Sequence, residues 1–387
     1  MDRTAEIIIK SIKSQVCGTN EHIGEISEEE FTPLYAFAAA QDAAHIVAAE
    51  LKKQGLLKNG ISICDMFYKQ LLMSAMRYEV MNAELIKVCN AFEQAEISHM
   101  PLKGSVMRRY YPEPWMRTSG DIDILVHSED IDRALDIITN NLKYKNTGKT
   151  SHDLELISSN GVHLDLHFDT VEDSYSGNAN EVLRNIWDYA ALEKDKKYLY
   201  VLSDGMFYFY HVAHMAKHFE EKGCGIRFFL DMWLLNNSEK FNIHEADKLI
   251  CEGELTKFEK AARSLAESWF SGAEYCNTAK KMEIYVLNGG VYGSQENSVA
   301  ASQTEKFGNV KYIFSLFFPP YERMVRQYTI LEKHKYLMPF FYIHKWFSLV
   351  FKGKTKSSIE ILCNSSKIFH DKADDVRELF DELGLKN

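Results

Sequence analysis

The sequence predicts an α/β protein, a small mixed-sheet core flanked by N- and C-terminal helical regions. Three observations carry that expectation. Apolar residues recur at helical spacing before residue 98 and again after about residue 180. Between those regions, short stretches alternate apolar and polar residues with the period of a strand. One of them, TSGDIDILVH at 118–127, places two carboxylates, Asp121 and Asp123, two positions apart on an otherwise apolar strand. Side chains at i and i+2 share a strand face, so these like charges need a cationic partner or an opening to water.

Taken in order, ISEEEF offers Ser27 with Glu30 three residues on, a capping box. The alanine-rich FTPLYAFAAAQDAAHIVAAELKKQG that follows reads as a helix ending at Gly55. A second long helical pattern runs from about Cys64 to Glu96, as one helix or two in series. At residue 98 the texture changes. HMPLKG is short and extended, with Gly104 closing it and a helix starting at Ser105. GDIDILVH is a strand, and SEDIDRALDIITNNL is a helix capped at Ser128 with acids in its first turn. DLELISS and VHLDLHF alternate on either side of Asn160-Gly161, a two-residue hairpin signal. Helical patterns then return in EVLRNIWDYAAL, SDGMFYFYHVAHMAKHFEE, IRFFLDMWLLNN and HEADKLICEGELTKFEKAARSLAESWF. A polar linker follows near 288–303, and DKADDVRELFDEL reads as a last helix. The expected units are a helical region over 1–97, the mixed core over 98–175, a helical domain over 176–300 and a basic aromatic tail over 301–387.

Composition narrows the chemistry. Of 387 residues, 46% are apolar and 26% charged, as in a soluble globular protein. A net charge of −10 argues against long nucleic acid as a partner. Seven scattered cysteines with no CxxC pair fit reduced thiols, and hence a cytoplasmic setting, better than a disulfide framework. The N-terminal residues lack the apolar run of a signal peptide, and nowhere do 18 apolar residues run together as a spanning helix requires. Residues 309–356 hold nine Lys/Arg against two Glu amid many aromatic residues; packing on the acidic body is the expectation, with peripheral contact to an anionic membrane as the alternative.

Asp165, in the strand VHLDLHF, supplies a third carboxylate if that strand lies beside GDIDIL. Three carboxylates suit a hard divalent cation such as Mg²⁺ that completes its shell with water and phosphate, and two such ions together can serve a displacement at phosphorus. Upstream, Gly104 and Ser105 open a helix whose free N–H groups suit an anion, with Lys103 adjacent. Arg117, four residues before Asp121, is suited either to a phosphate or to a carboxylate partner. On later helices His211, His214 and His218 fall on one face, near Lys217, and Arg227 and Asp231 are spaced i, i+4. This pair of helices either lines a cleft or packs around an Arg227–Asp231 bridge, and the His214/His218 spacing only weakly suggests zinc. His152 and His167 flank the hairpin, and His45 reads as a core histidine.

Gly-Ser at a helix start, then a DID strand, then a third carboxylate on a later strand, resembles the DNA polymerase β-type nucleotidyltransferase superfamily. The order Leu102-Lys103-Gly104, Arg117, Asp121 to Val126 and Asp165-Leu166-His167-Phe168 resembles its uncharacterised bacterial nucleotidyltransferase family. The resemblance covers most of residues 30–240, and one departure is the fifteen residues between Ser105 and Asp121. It implies transfer of a nucleoside monophosphate from an NTP such as ATP, with pyrophosphate leaving. Asp121 and Asp123 would hold two Mg²⁺ ions, which Mn²⁺ can replace. Asp165 would bind the catalytic ion, and Gly104 and Ser105 the distal phosphates. Lys103, Arg117, His214, Lys217 and Arg227 are further candidates for the nucleotide. The acceptor would be a hydroxyl of a small molecule, sugar or protein. The alternatives are an inactive nucleotide-binding scaffold or a related phosphoryl or phospho-alcohol transferase. Oligomeric state is not legible.

Overall fold

The computed structural model describes residues 1–289 except 59, 173, 174, 239 and 240, then 321, 324, 328, 331, 334–342 and 374–385. The expectations for the 288–303 linker and for most of the basic aromatic tail therefore fall outside the described residues.

Four helices come first: α1 (Arg3–Gln15), α2 (Glu28–Ala40), α3 (Ala44–Lys53) and α4 (Ser62–Gln94). The capping box expected at Ser27 and Glu30 opens α2. The alanine-rich stretch is not one helix, because Asp42 takes a left-handed φ of 52° and separates α2 from α3. That conformation is held from outside: the Asp42 carboxylate accepts from Thr118 Oγ1 at 2.6 Å and pairs with Arg227. The second pattern is one uninterrupted helix of 33 residues.

A five-stranded mixed sheet follows, built from β1 (His99–Pro101), β2 (Asp121–Val126), β3 (Lys145–Lys149), β4 (Asp153–Ile157) and β5 (His163–His167) in the order β1-β2-β5-β4-β3. Only β2 and β5 pair in parallel. Helix α5 (Lys103–Met107) joins β1 towards β2, and α6 (Ile131–Asp136) lies in the crossover after β2. Ser128 sits in a short 3₁₀ turn ahead of α6 and forms no cap of its own. The hairpin between β4 and β5 is longer than the Asn160-Gly161 signal implies. Ser158 N–H donates to Val162 O, leaving a three-residue loop with Gly161 at φ 76°.

After the sheet come α7 (Ala179–Leu183), a two-stranded sheet of β6 (Ala190–Leu192) and β7 (Tyr200–Leu202), then α8 (Asp204–Glu221), α9 (Ile226–Asn236), α10 (Ile243–Glu252), α11 (Thr256–Phe270) and α12 (Asn277–Leu287). The EVLRNIWDYAAL stretch is thus a short helix, a 3₁₀ turn and a strand. The long HEADKLICEGELTK pattern is two helices, because Glu254 takes φ 58° between them. A last helix covers 374–383.

The sheet separates two apolar cores. One face, with Ile122, Ile124, Leu156, Leu164 and Leu166, packs on Val88 and Phe92 of α4 and Ala134 of α6. The other faces the larger core, in which the early helices, Leu125 of β2 and helices α8 to α12 are joined. None of the described helices is long and apolar enough to cross a membrane.

Candidate active site

Strand alternation explains how β2 keeps its acids out of the apolar core. Ile122, Ile124 and Val126 point into the core beneath the sheet, so Asp121 and Asp123 point to the opposite face. The parallel register sets Asp123 directly beside Asp165 of β5, and Asp121 beside His163. Across the antiparallel side, His167 stands opposite Asp153. A ligand atom from each of Asp123, Asp165 and His167 lies within 4.8 Å of the others. Among the described residues Asp121 belongs to no such group.

Two donors converge on Asp123. Lys103 Nζ lies 2.8 Å and His167 Nε2 3.0 Å from the same oxygen, Oδ1. Burial alone would raise this carboxyl, but the Lys103 charge and the His167 contact hold it well below the usual carboxylate range. Asp165 behaves oppositely. Burial, followed by the charges of Asp123, Asp121 and Asp153, pushes it up to about 7, and Lys103 offsets only part of this. Burial and Asp123 raise Asp121 as well. Among the described residues, three carboxylates thus face Lys103 and His167. Closely set carboxylate oxygens with too little positive charge suit a hard divalent cation, and Asp123 and Asp165, with His167, are close enough to share an ion.

The turn upstream is tied to the acids. Leu102 N–H donates to Asp123 O at 3.0 Å, continuing the β1–β2 pairing. Lys103 then takes a left-handed φ of 45°, and α5 begins there rather than at Ser105. Gly104 lies inside α5, where a Cβ would come 2.9 Å from Ser119 Cβ, so glycine is needed for this close approach. The buried Ser105 Oγ has no hydrogen-bond partner among the described residues. Two arginines outside the expected set fix the loop before β2. Arg77 of α4 donates to Ser119 O at 2.9 Å and Gly120 O at 3.1 Å, and Arg108 donates to Ser119 Oγ and to Arg117 O. Nothing local marks Arg77, which lies about forty residues upstream; Arg108 is visible only as part of MRRYY.

The structure gives the remaining candidates different surroundings. Arg117 is buried and grips Asp231 of α9, with Nε 2.9 Å from Oδ2 and 3.0 Å from Oδ1; Tyr111 Oη donates to the same carboxylate at 2.7 Å. Arg227 pairs with Asp42, so each member of the expected Arg227–Asp231 bridge has a partner elsewhere. On α8, Lys217 pairs with Glu172, and the Nε2 atoms of His214 and His218 lie 3.0 Å apart against Phe228. Burial drives His214 well below its ordinary value and His218 down to about 4, with the Lys103 charge adding to both. Lys103, Asp121, Asp123 and Asp165 are thus brought together, Gly104 and Ser105 adjoin them, and the field of Lys103 reaches the histidine face of α8. His45 is buried, with Nε2 2.8 Å from Met116 O.

The antibiotic-resistance factor ANT(2″)-Ia, a solved structure, is similar to part of this chain at 11% identity and a TM-score of 0.33, covering 48% of this chain and 95% of that one. That likeness is too slight to place any residue. No curated protein matches. The profile of a family described as uncharacterised nucleotidyltransferase matches residues 27–271, which takes in α2 to α11 and every candidate residue of the site. The chain belongs to this uncharacterised nucleotidyltransferase family.

Proposed function

We propose that the protein transfers a nucleoside monophosphate from an NTP to a hydroxyl acceptor and releases pyrophosphate. The observation that carries this reading is the parallel register of β2 and β5, which sets Asp123 beside Asp165 with Asp121 on the same face. Asp121, Asp123 and Asp165 would hold the divalent metal, Mg²⁺ or Mn²⁺, in one or two positions. Once bound, the metal supplies charge neutralisation at the phosphates and acidifies the attacking hydroxyl. Lys103 is the side chain placed to follow the nucleotide. Its ammonium balances Asp123 in the free protein and is free to turn to a phosphate when another cation takes over that carboxylate. Ser105, with a buried hydroxyl that lacks a partner, is suited to a phosphate oxygen. Asp165, beside Asp123 in the sheet, would be the candidate to accept the proton of the acceptor hydroxyl. Arg117 would act from behind by anchoring the loop before β2 to α9, and Arg227 by tying α9 to Asp42 between α2 and α3. An acceptor that is a small molecule, a sugar or a protein hydroxyl suits the acidic chain better than a long nucleic acid.

Calorimetric titration with each of the four NTPs, with and without Mg²⁺, tests this reading. Binding should require the metal and should disappear in Asp121→Asn/Asp123→Asn with the fold intact by circular dichroism. Metal-independent binding, or binding undiminished in the double variant, would overturn it. Once an acceptor is known, Asp123→Ala should abolish transfer, and the mass added to the product separates nucleotidyl transfer from phosphoryl or phospho-alcohol transfer.

A further inference from the structure

Beside the carboxylates lies a second group of potential ligands, of different chemistry. His152, Asp153 and His167 each place one ligand atom within 4.8 Å of the other two. His152 Nε2 is 3.3 Å and His167 Nδ1 4.0 Å from Asp153 Oδ2, and the two rings stack at 6.0 Å with 13° between their planes. Glu172 Oε2 approaches His152 Nε2 at 3.9 Å from a further loop. All four side chains are largely screened from solvent.

The outward-facing atoms of this group are already engaged. His167 Nε2 is 3.0 Å from Asp123 Oδ1, a carboxylate oxygen that can only accept, so Nε2 is the donor of that contact and Nδ1 is the atom turned toward Asp153. His167 Nδ1 lies 4.0 Å from Asp153 Oδ2, a distance too long for a hydrogen bond. Asp153 Oδ1 accepts from Thr150 Oγ1 at 2.6 Å, which turns Oδ2 inward. His152 Nδ1 lies 3.3 Å from Ser151 Oγ, leaving Nε2 as the inward atom. The backbone holds this arrangement: the N–H groups of His152 and Asp153 donate to Thr150 Oγ1, and those of Phe168 and Asp169 to His152 O. Three potential ligand atoms thus converge, each on a side chain held by a partner on its far side. An imidazole whose other nitrogen donates to a carboxylate or hydroxyl is the outer arrangement of metal-binding histidines.

We propose that His152 Nε2, Asp153 Oδ2 and His167 Nδ1 form a binding site for a borderline divalent transition ion of the Zn²⁺ or Co²⁺ class, distinct from the oxygen-only carboxylate site. Two imidazoles and one carboxylate favour such an ion over Mg²⁺, which prefers oxygen ligands and retained water. Glu172, paired with Lys217, approaches the group only through His152. His167 would join the two sites, because an ion on Nδ1 makes Nε2–H a stronger donor to Asp123.

The test needs no nucleotide. The full chain is stripped with a chelator and titrated with Co²⁺, following its ligand-field absorption and the nitrogen ligation visible by X-ray absorption. One equivalent should bind with imidazole ligation, yield to Zn²⁺, and resist a large excess of Mg²⁺. Affinity should fall by roughly 100-fold in both His152→Gln and Asp153→Asn, yet persist in Asp121→Asn/Asp165→Asn. Circular dichroism keeps loss of fold apart from loss of a ligand. Absence of a tight equivalent in the wild type overturns the proposal. So does a signal that survives in His152→Gln, or one that disappears with Asp121 and Asp165, which would put the ion among the carboxylates. Because NTP is absent throughout, failure here and failure of the transferase reading are told apart.

Discussion

Asp165 shows how an ordinary residue acquires an unusual task from its neighbours. Its carboxyl sits near 7 because burial and three other carboxylates oppose its charge. Between the ordinary carboxylate value and about 7 Asp165 binds more proton in the folded protein than in the unfolded chain, so its own contribution to metal-free stability falls as pH rises, against the opposite slope of the depressed His214 and His218. A loss of roughly 2 kcal/mol is expected after allowing for water at the site. Urea melts at pH 5 and pH 8 measure it. Wild type should lose this stability relative to Asp165→Asn between the two pH values, and a difference that stays constant would contradict this account of the site. Asp123, ionised throughout this range, contributes nothing to the slope. Arg117 makes a separate prediction. Arg117→Ala strands Asp231 in the core and should cost about 3–5 kcal/mol by denaturant unfolding. Arg117→Lys, keeping charge without the fork, should cost less. These residues differ in how well local sequence exposes them. The three aspartates stand out because carboxylates interrupt apolar alternation. The partners of Arg117, Arg227 and Lys103 do not, because each lies at least twenty residues away and no periodicity encodes it.

Elements were legible where hydrophobic period and end signals agreed. α4, β2, β4, β5 and α8 follow their patterns closely. The sequence is silent where tertiary contacts decide. The helical run broken at Asp42 has no glycine or proline there; the break is held by Thr118 and Arg227, donors from other elements. β3, reading KNTGK, has no apolar alternation and exists by pairing with β4 at the sheet edge. α5 began earlier than Gly-Ser suggests because Lys103 accepts a left-handed φ. The close approach of α5 to the loop before β2 makes Gly104→Ala informative. The added methyl meets Ser119 and should push that loop away, weakening Mg²⁺-dependent nucleotide binding about tenfold in calorimetry with global stability little changed. A variant with unchanged affinity would mean that the loop can yield without disturbing the acids.

At the scale of the whole molecule, the helices before and after the sheet share one core rather than forming separate bodies, a union that no local pattern announces. What sequence did convey is that α/β texture is confined to the middle and helices lie on both sides. The site inherits a property from the crossover joining its two strands. β2 and β5 are neighbours in the sheet, but residues 127–162 intervene along the chain. A chain folded only as far as β2 therefore owns half a site. Whatever binds between Asp123 and Asp165 acts as a clasp on a loop closed late and at an entropic cost. The free energy of binding becomes free energy of topology: Mg²⁺–NTP at a hundred times its dissociation constant should add about 2.7 kcal/mol to stability. That gain should appear as slower amide exchange in β5, more than fifty residues from the Gly-Ser turn, and should be absent in Asp121→Asn/Asp123→Asn. Occupancy of this site is thus a report that the crossover has been completed.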